Sequence, residues 1–486
     1  MQIPEKGTGA PAVLSELDAM GGGDVDVHDG RLFAYVFLAN EEAQRLAENA
    51  HGKYLWSNGL DPLAFPSLLK MEQEVVAMAA DHLRGAPGAS GNVTSGGTES
   101  VMLAVRTARE WARAHRPEVE RPQMVLPVTA HPCFHKGAQY FGLETVVTPV
   151  DPETFRADVD AMRRAVTDRT VLVAGSAPSY AHGVVDPIEE IGALAKERGI
   201  LCHVDGCIGA FMLPFFRELG TDVPPFDFSV PGVTSMSMDF HKYAFSPKGA
   251  STVLYRDAEL HRHQLFTYSG WTGYPLINAT MQSSKCGGPI AATWALLRHL
   301  GREGYREIAR QLAEGTGKIL RGVEGIDGVR VLGEPDMCLV AVASDDPSVD
   351  VFRLCDAMKK RGWDLQAQLR YGELPENFHL TVMPSNLPHL DQWVADLRAS
   401  VDEVKGGTGE SALAPLKAML DQIDFTALRG KDVAGLLDSV GLGGGGDLGG
   451  ALGEINAILN ELDATQRDAV LTAFYEYLVL EARPDR

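Results

Sequence analysis

Apolar positions along this chain change their spacing several times, and each change predicts a different kind of element. Residues 1–30 are rich in Gly and Asp, carry little pattern, and read as an arm or loop. A helical pattern covers 41–50. Residues 67–84 (SLLKMEQEVVAMAADHLR) place apolar side chains three and four apart, which predicts an amphipathic helix. From 91 to 256 short apolar runs take over: 124–128 (MVLPV), 145–150 (TVVTPV), 170–174 (TVLVA), 200–204 (ILCHV), 233–238 (VTSMSM) and 251–255 (STVLY). Helical stretches at 99–115, 154–165 and 187–198 fall between them. Continuous apolar strands alternating with helices predict βαβ units and a mostly parallel sheet covered on both faces. Residues 289–325 read as helix, and 329–404 as a smaller α/β unit with strands near 338–342 and 378–383.

Past Lys405 the character shifts. GGTGE reads as a linker and LGGGGDLGG (442–450) as a flexible break. Helical segments are predicted at 411–422, 431–439 and 451–482, the last with Leu452, Ile455, Ile458, Leu459 and Leu462 on one face. The expected organisation is an N-terminal arm and segment (1–65), a large sheet domain (66–288), a smaller C-terminal α/β domain (289–405) and a helical appendage (406–486).

The chain has 486 residues, 45% of them hydrophobic, enough for a large core without disulfide staples. Its net charge of −21 argues against a general nucleic-acid binder and against docking on anionic membranes. No run of about 20 apolar residues predicts a membrane span. The N-terminus lacks the basic start and apolar centre of a secretory leader. Six scattered cysteines form no CxxC pair, so a reducing, cytoplasmic location is expected rather than a disulfide framework. His131 and His135 are four apart, but Pro132 interrupts them and no Glu follows His131, so no metal site is expected.

Four short pieces carry candidate chemistry. Ser95-Gly96-Gly97-Thr98 precedes a helix, where glycines and a helix N-terminus suit a phosphate. The same residues also fit a plain glycine turn with Thr98 as N-cap. His203-Val204-Asp205 ends a strand and offers a carboxylate to a protonated ring nitrogen, or simply a turn cap. His241-Lys242 follows another strand, and a lysine there suits a Schiff base, although most lysines are merely solvated. His131 follows the strand MVLPV, where its ring would stack on a planar group or pack. Taken together, the phosphate cradle, stacking ring, carboxylate and lysine are what pyridoxal 5′-phosphate requires.

These pieces resemble fold-type I pyridoxal-phosphate enzymes of the group II decarboxylase superfamily, and within it the sphingosine-1-phosphate lyases. The resemblance covers roughly residues 30–400. It is carried by Val93 to Ser100, by Ser176-Ala177-Pro178 with His182 to Pro187, by His203 to Cys207, and by Pro225 to Tyr255. It implies that Lys242 holds the cofactor aldehyde, that Asp205 pairs with the pyridine nitrogen and that His131 stacks on the ring. Ser95, Gly96, Gly97 and Thr98 would hold the phosphate, helped by Gly273 of a second copy in a homodimer with shared sites. His203 joins the cofactor set. Lys248, Tyr35 and Asn58 match further active-site positions, and Lys242, Lys248 or His241 would move protons. Cys207 matches a family cysteine and reads as structural.

The activity implied is retro-aldol cleavage of a phosphorylated amino alcohol to an aldehyde and phosphoethanolamine. Two departures bear on the substrate. Asp61 stands where these lyases carry histidine, and Lys285 where they carry arginine before the glycines. With Asn58 and Lys248 they form the expected substrate set, and a carboxylate at Asp61 would repel a phosphate. That predicts a substrate other than sphingosine 1-phosphate, cationic or hydroxylated where it meets Asp61. An amino-acid decarboxylase is the alternative reading. It needs a cation for the α-carboxylate, with Arg370 or Lys285 as candidates.

Overall fold

The computed structural model describes residues 3–61, 63–406, 423–439 and 452–481. Seven strands form the large sheet: β1 (Ser90–Thr94), β2 (Gln123–Pro127), β3 (Glu144–Thr148), β4 (Thr170–Ser176), β5 (Leu201–Asp205), β6 (Ser235–Asp239) and β7 (Ser251–Tyr255). Their order is β1-β7-β6-β5-β4-β2-β3, and only β7 runs antiparallel to its neighbours. Every residue of β2, β4, β5, β6 and β7 is buried, so these strands read as apolar runs. The edge strand β1 was not expected from the sequence. It holds one large apolar residue, and its Gly91 lies so close to β7 that a side chain there would strike the Val253 carbonyl.

The expected helix over 154–165 starts only at Val159. Asp151 turns the chain with its side chain on Glu153 N and Thr154 N, and Asp158 then caps the helix through Ala161 N. A hairpin, β8 (Phe266–Tyr268) with β9 (Leu276–Asn278), follows and leaves Phe266, Tyr268 and Ile277 exposed. The helix Gly288–Glu324 follows, interrupted at Gly301, whose φ of 55° is left-handed.

The second sheet is antiparallel: β10 (Val329–Val331), β11 (Leu339–Ser344), β12 (Gln366–Gln368) and β13 (Asn377–Thr381), in the order β10-β11-β13-β12. Helices Val351–Lys360 and Leu390–Gly406 complete this unit.

The N-terminal stretch departs from the arm or loop expected. It contains a helix, Ala10–Gly21, with no buried residue. Residues 30–33 are then stitched to the small sheet. Leu32 bridges Asp364, and Thr381 N donates to Phe33 O. Phe33 is fully buried against the rings of Trp363 and Trp393, at 6.1 and 5.9 Å between centroids. The buried amide of Asn386 donates to the carbonyls of Gly30 and Leu32, at 2.9 and 3.0 Å.

At the C-terminal end lie helices Gly430–Ser439, Leu452–Glu461 and Ala464–Glu476. The single helix expected over 451–482 is split at Asp463, whose carboxylate accepts from Gln466 N and caps the second piece. The expected helix over 411–422 and the glycine break at 442–450 lie outside the described residues.

Replacing Asn386 with Ala leaves two carbonyls without their donor. The expected cost is about 1–3 kcal/mol, from the usual penalty for unmet buried groups. A lower urea midpoint for the Asn386→Ala protein, followed by tryptophan fluorescence, checks this.

Candidate active site

The carboxyl ends of the parallel strands open on one cavity of about 530 Å³, the expected place for a ligand in such a sheet. β5 ends at Asp205, paired in register with Ser237 on β6, and β6 ends two residues further at Asp239. The chain then turns tightly, with Phe240 N and His241 N both donating to Ala250 O at 3.0 Å. That turn brings Lys242 Nζ back to 3.0 Å from Asp239 Oδ2, and His241 Nε2 lies 3.4 Å from the same oxygen. Burial works against the Lys242 ammonium. The Asp239 carboxylate, with Cys207 and Asp205, outweighs it and holds the amine above its ordinary range. Burial and the two lysines push His241 down, against the pull of Asp239.

Asp205 stays ionised although buried. Burial favours its neutral form, but nearby His131, the thiol and backbone N–H of Cys207, and Lys242 bring it below the usual carboxylate range. Ser237 has one proton to give and gives it to Asp205, at 3.2 Å. His203 Nε2, 3.3 Å from the same hydroxyl, is then the donor to it. Burial pushes His203 down to about 4, so its ring is neutral. His203 therefore supports Asp205 through Ser237 and does not itself line the cavity, contrary to the expectation that it joins the cofactor set.

Ser95, Gly96, Gly97 and Thr98 do line it. The helix Gly97–His115 begins here with Gly96 in the cap position, so Thr98 is inside the first turn and is not its N-cap. Buried Glu99 closes this end, accepting from Ser95 N and Met281 N, each at 2.6 Å. A Cβ on Gly97 would lie 2.7 Å from Cys207 Sγ and 2.9 Å from both Asp239 oxygens, so no side chain fits. His131 lines the cavity with Nδ1 accepting from Cys133 N at 3.2 Å.

At the mouth, Lys248 Nζ lies 3.4 Å from His241 O and 5.1 Å above the Phe37 ring. Burial beside Lys242 pushes it down to about 8. Tyr35 also lines the cavity, and its φ of 63° is left-handed, a strain of about 1–2 kcal/mol for such a residue.

The remaining expected residues do not line the cavity within one chain. Asn58 accepts from Leu60 N and Lys285 N. Asp61 is exposed and caps its own turn through Leu63 N and Ala64 N, so it repels nothing in this cavity. Lys285 is committed to Glu72 at 2.8 Å and Val93 O at 3.1 Å. Arg370 forms a two-pronged pair with Glu376, at 2.8 and 2.9 Å. Gly273 sits in the exposed hairpin, packed against its own Trp271.

Sequence reading missed Asp239, which had the same signal as Asp205, an acid at a strand's carboxyl end. It also missed Tyr180 and Gln366, whose side chains meet across the two sheets and which no local pattern marks.

Pyridoxal 5′-phosphate fits these residues. Buried Thr129 Oγ1, Asp239 Oδ1 and His241 Nδ1 have no partner, the Gly97 cradle admits only backbone, and two carboxylates flank one ammonium. No cluster that could hold a metal occurs among the described residues.

The family described as "Pyridoxal-dependent decarboxylase conserved domain" matches residues 25–343, and "Pyridoxal-dependent enzyme, C-terminal putative HTH domain" matches 414–476. The chain is 39% identical to the sphingosine-1-phosphate lyase of Arabidopsis thaliana over 424 residues, 85% of this chain and 76% of that one. It is 40% identical to that of Oryza sativa over 405 residues, 82% and 74% of the two chains. The solved sphingosine-1-phosphate lyase of Burkholderia pseudomallei superposes with a TM-score of 0.80 at 36% identity, covering 87% of this chain and 95% of that one.

Asp239→Asn removes the charge that holds the Lys242 ammonium. Its amine form then becomes available at lower pH. Labelling of Lys242 by an amine-selective reagent in cofactor-free protein, read by mass spectrometry against pH, should begin at lower pH in the variant.

Proposed function

The chain belongs to the pyridoxal-dependent decarboxylase family, and on that premise we propose how its residues carry out the reaction of a carbon–carbon lyase. It is a pyridoxal-phosphate-dependent enzyme of the sphingosine-1-phosphate lyase kind. The substrate is read as a phosphorylated amino alcohol resembling sphingosine 1-phosphate, cleaved between Cα and Cβ to an aldehyde and phosphoethanolamine. The observation that carries this over a decarboxylase is the cavity's cation set. Lys242 and Lys248 face it, whereas Arg370 and Lys285 are engaged elsewhere. The departures at Asp61 and Lys285 thus lie off the cavity of their own chain.

When bound, pyridoxal phosphate supplies the electron sink that accepts the pair released by the breaking bond. Lys242 Nζ would hold the cofactor aldehyde, and the carboxylate of Asp205, kept charged, would keep the ring nitrogen protonated. His131 would lie on the ring, and Ser95 to Thr98 would take the phosphate. Lys248 Nζ, held near neutrality, would take the proton from the substrate hydroxyl. Asp239 would hold Lys242 and His241 in place.

The enzyme is read as a homodimer. The hairpin exposes Phe266, Tyr268, Trp271, Tyr274 and Ile277, a patch suited to a second copy, and would bring Gly273 to that copy's site. No helix among the described residues is long and apolar enough to cross a membrane. The six cysteines are all unpaired, which supports the cytoplasm as its location.

Sphingosine 1-phosphate is expected to give phosphoethanolamine, with no carbon dioxide released from aromatic or acidic amino acids. The visible band of the bound cofactor should disappear in Lys242→Ala, and Asp61→His should leave turnover unchanged. Carbon dioxide from amino acids with no phosphoethanolamine would overturn the lyase reading. In the pH profile, the rate should rise as Lys248 loses its proton through about pH 8. Lys248→Arg, which stays charged, should remove that rise.

A further inference from the structure

The C-terminal module touches the small sheet's unit at two points. Its helix Leu452–Glu461 packs along the helix Val351–Lys360, and Gly453 N donates to Asp356 Oδ1 at 3.0 Å. Its second contact is the turn that leaves β12. Asn460 Oδ1 accepts from Arg370 N at 2.7 Å, and Arg467 Nη1 donates to Arg370 O at 2.9 Å. Both backbone groups of Arg370 are therefore held by the module, while Glu376 holds its side chain. Arg467 also donates to Leu459 O at 2.7 Å and Asn460 O at 3.1 Å, so one guanidinium ties the helix end to the turn.

Arg370 lies two residues beyond β12, and β12 is an edge strand of only three residues. So short a strand, laddered on one side alone, has little stability of its own. Yet it carries part of the cavity. The Tyr180 hydroxyl donates to Gln366 Oε1, and both residues line the cavity. Gln368 Nε2 donates to Ala181 O at 2.9 Å and to Asn377 Oδ1 at 2.6 Å. Tyr180 in turn stacks on His379 at 4.3 Å. Contacts thus run unbroken from Asn460 and Arg467, through Arg370 and β12, to the Gln366–Tyr180 wall.

We propose that the module braces this wall, with Asn460 and Arg467 as positioning residues that fix Gln366 and Tyr180 and so set the fit of the substrate. The match to a putative helix-turn-helix does not make nucleic acid its partner. Residues 406–486 hold 13 acidic and 6 basic residues, and Arg467 is spent on its own chain. Substrate fit here rests on the lyase reading, while the bracing itself does not.

Asn460→Ala and Arg467→Ala are made separately in the full chain, so a folding failure in one leaves the other to decide. Hydrogen exchange followed by mass spectrometry should show segments 364–371 and 178–182 exchanging about tenfold faster, as expected for one or two lost hydrogen bonds. The large-sheet strands should be unchanged, in cofactor-free and loaded protein alike. With sphingosine 1-phosphate, KM should rise severalfold while kcat and the cofactor's absorbance stay as in the parent. Faster exchange confined to 452–481, or an unchanged KM in an active enzyme, would overturn the brace. If the parent itself does not cleave the substrate, the lyase reading fails, and the exchange result alone decides the brace.

Discussion

A buried ammonium persists only beside a carboxylate, and in this fold that need fixes the end of the sheet. Asp239 closes β6, and the turn that follows is tight enough to return Lys242 to it within 3.0 Å. The turn depends on two backbone hydrogen bonds to Ala250, which opens β7's side of the sheet. β7 is the one antiparallel strand, so chain leaving β6 comes straight back beside it. Asp205 then needs its own support, because a second carboxylate in the same cavity repels the first. Ser237, Cys207 N and the neutral His203 behind them supply it. The charge pattern of the cavity is in this sense a property of two neighbouring strands and one turn.

Much of this was legible in the sequence, for a physical reason. Strands covered on both faces carry few charges whichever way they run, so β2, β4, β5, β6 and the antiparallel β7 announce themselves. Asp205 was legible because it ends such a run, and Lys242 because it follows one closely. β1 was not, since its strand identity comes from pairing with β7 rather than from its own side chains. Asp239 was passed over because an acid between Met238 and Phe240 looks like the start of a turn, and it is that as well as the partner of Lys242. Residues 1–30 hid a helix because it buries nothing, which removes the periodic signal. Asn58, Asp61 and Lys285 were credited to the site by resemblance alone. Asn58 and Asp61 are held by hydrogen bonds within their own loop, and Lys285 by Glu72 and Val93 O, outside the cavity lining of the single chain.

The two sheets contribute differently. The large sheet provides charge, held by the ends of rigid strands. The small sheet and the N-terminal stretch provide walls: Tyr35 from a segment stitched down by Asn386, and Gln366 and Thr381 from β12 and β13. The charged groups thus sit at the ends of strands paired on both sides. Among the groups that shape the space, Gln366 sits on an edge strand of three residues.

The contact at Gly97 has a consequence for how such a site can evolve. Three residues from three separate segments, Gly97, Cys207 and Asp239, meet with no room for a methyl group between them. A larger residue at the first position can be accepted only if one of the other two shrinks or withdraws, and a longer acid at the third only if the thiol gives way. Growth at Gly97 therefore needs a paired change at Cys207 or Asp239, whereas a same-sized or smaller side chain at either partner needs none.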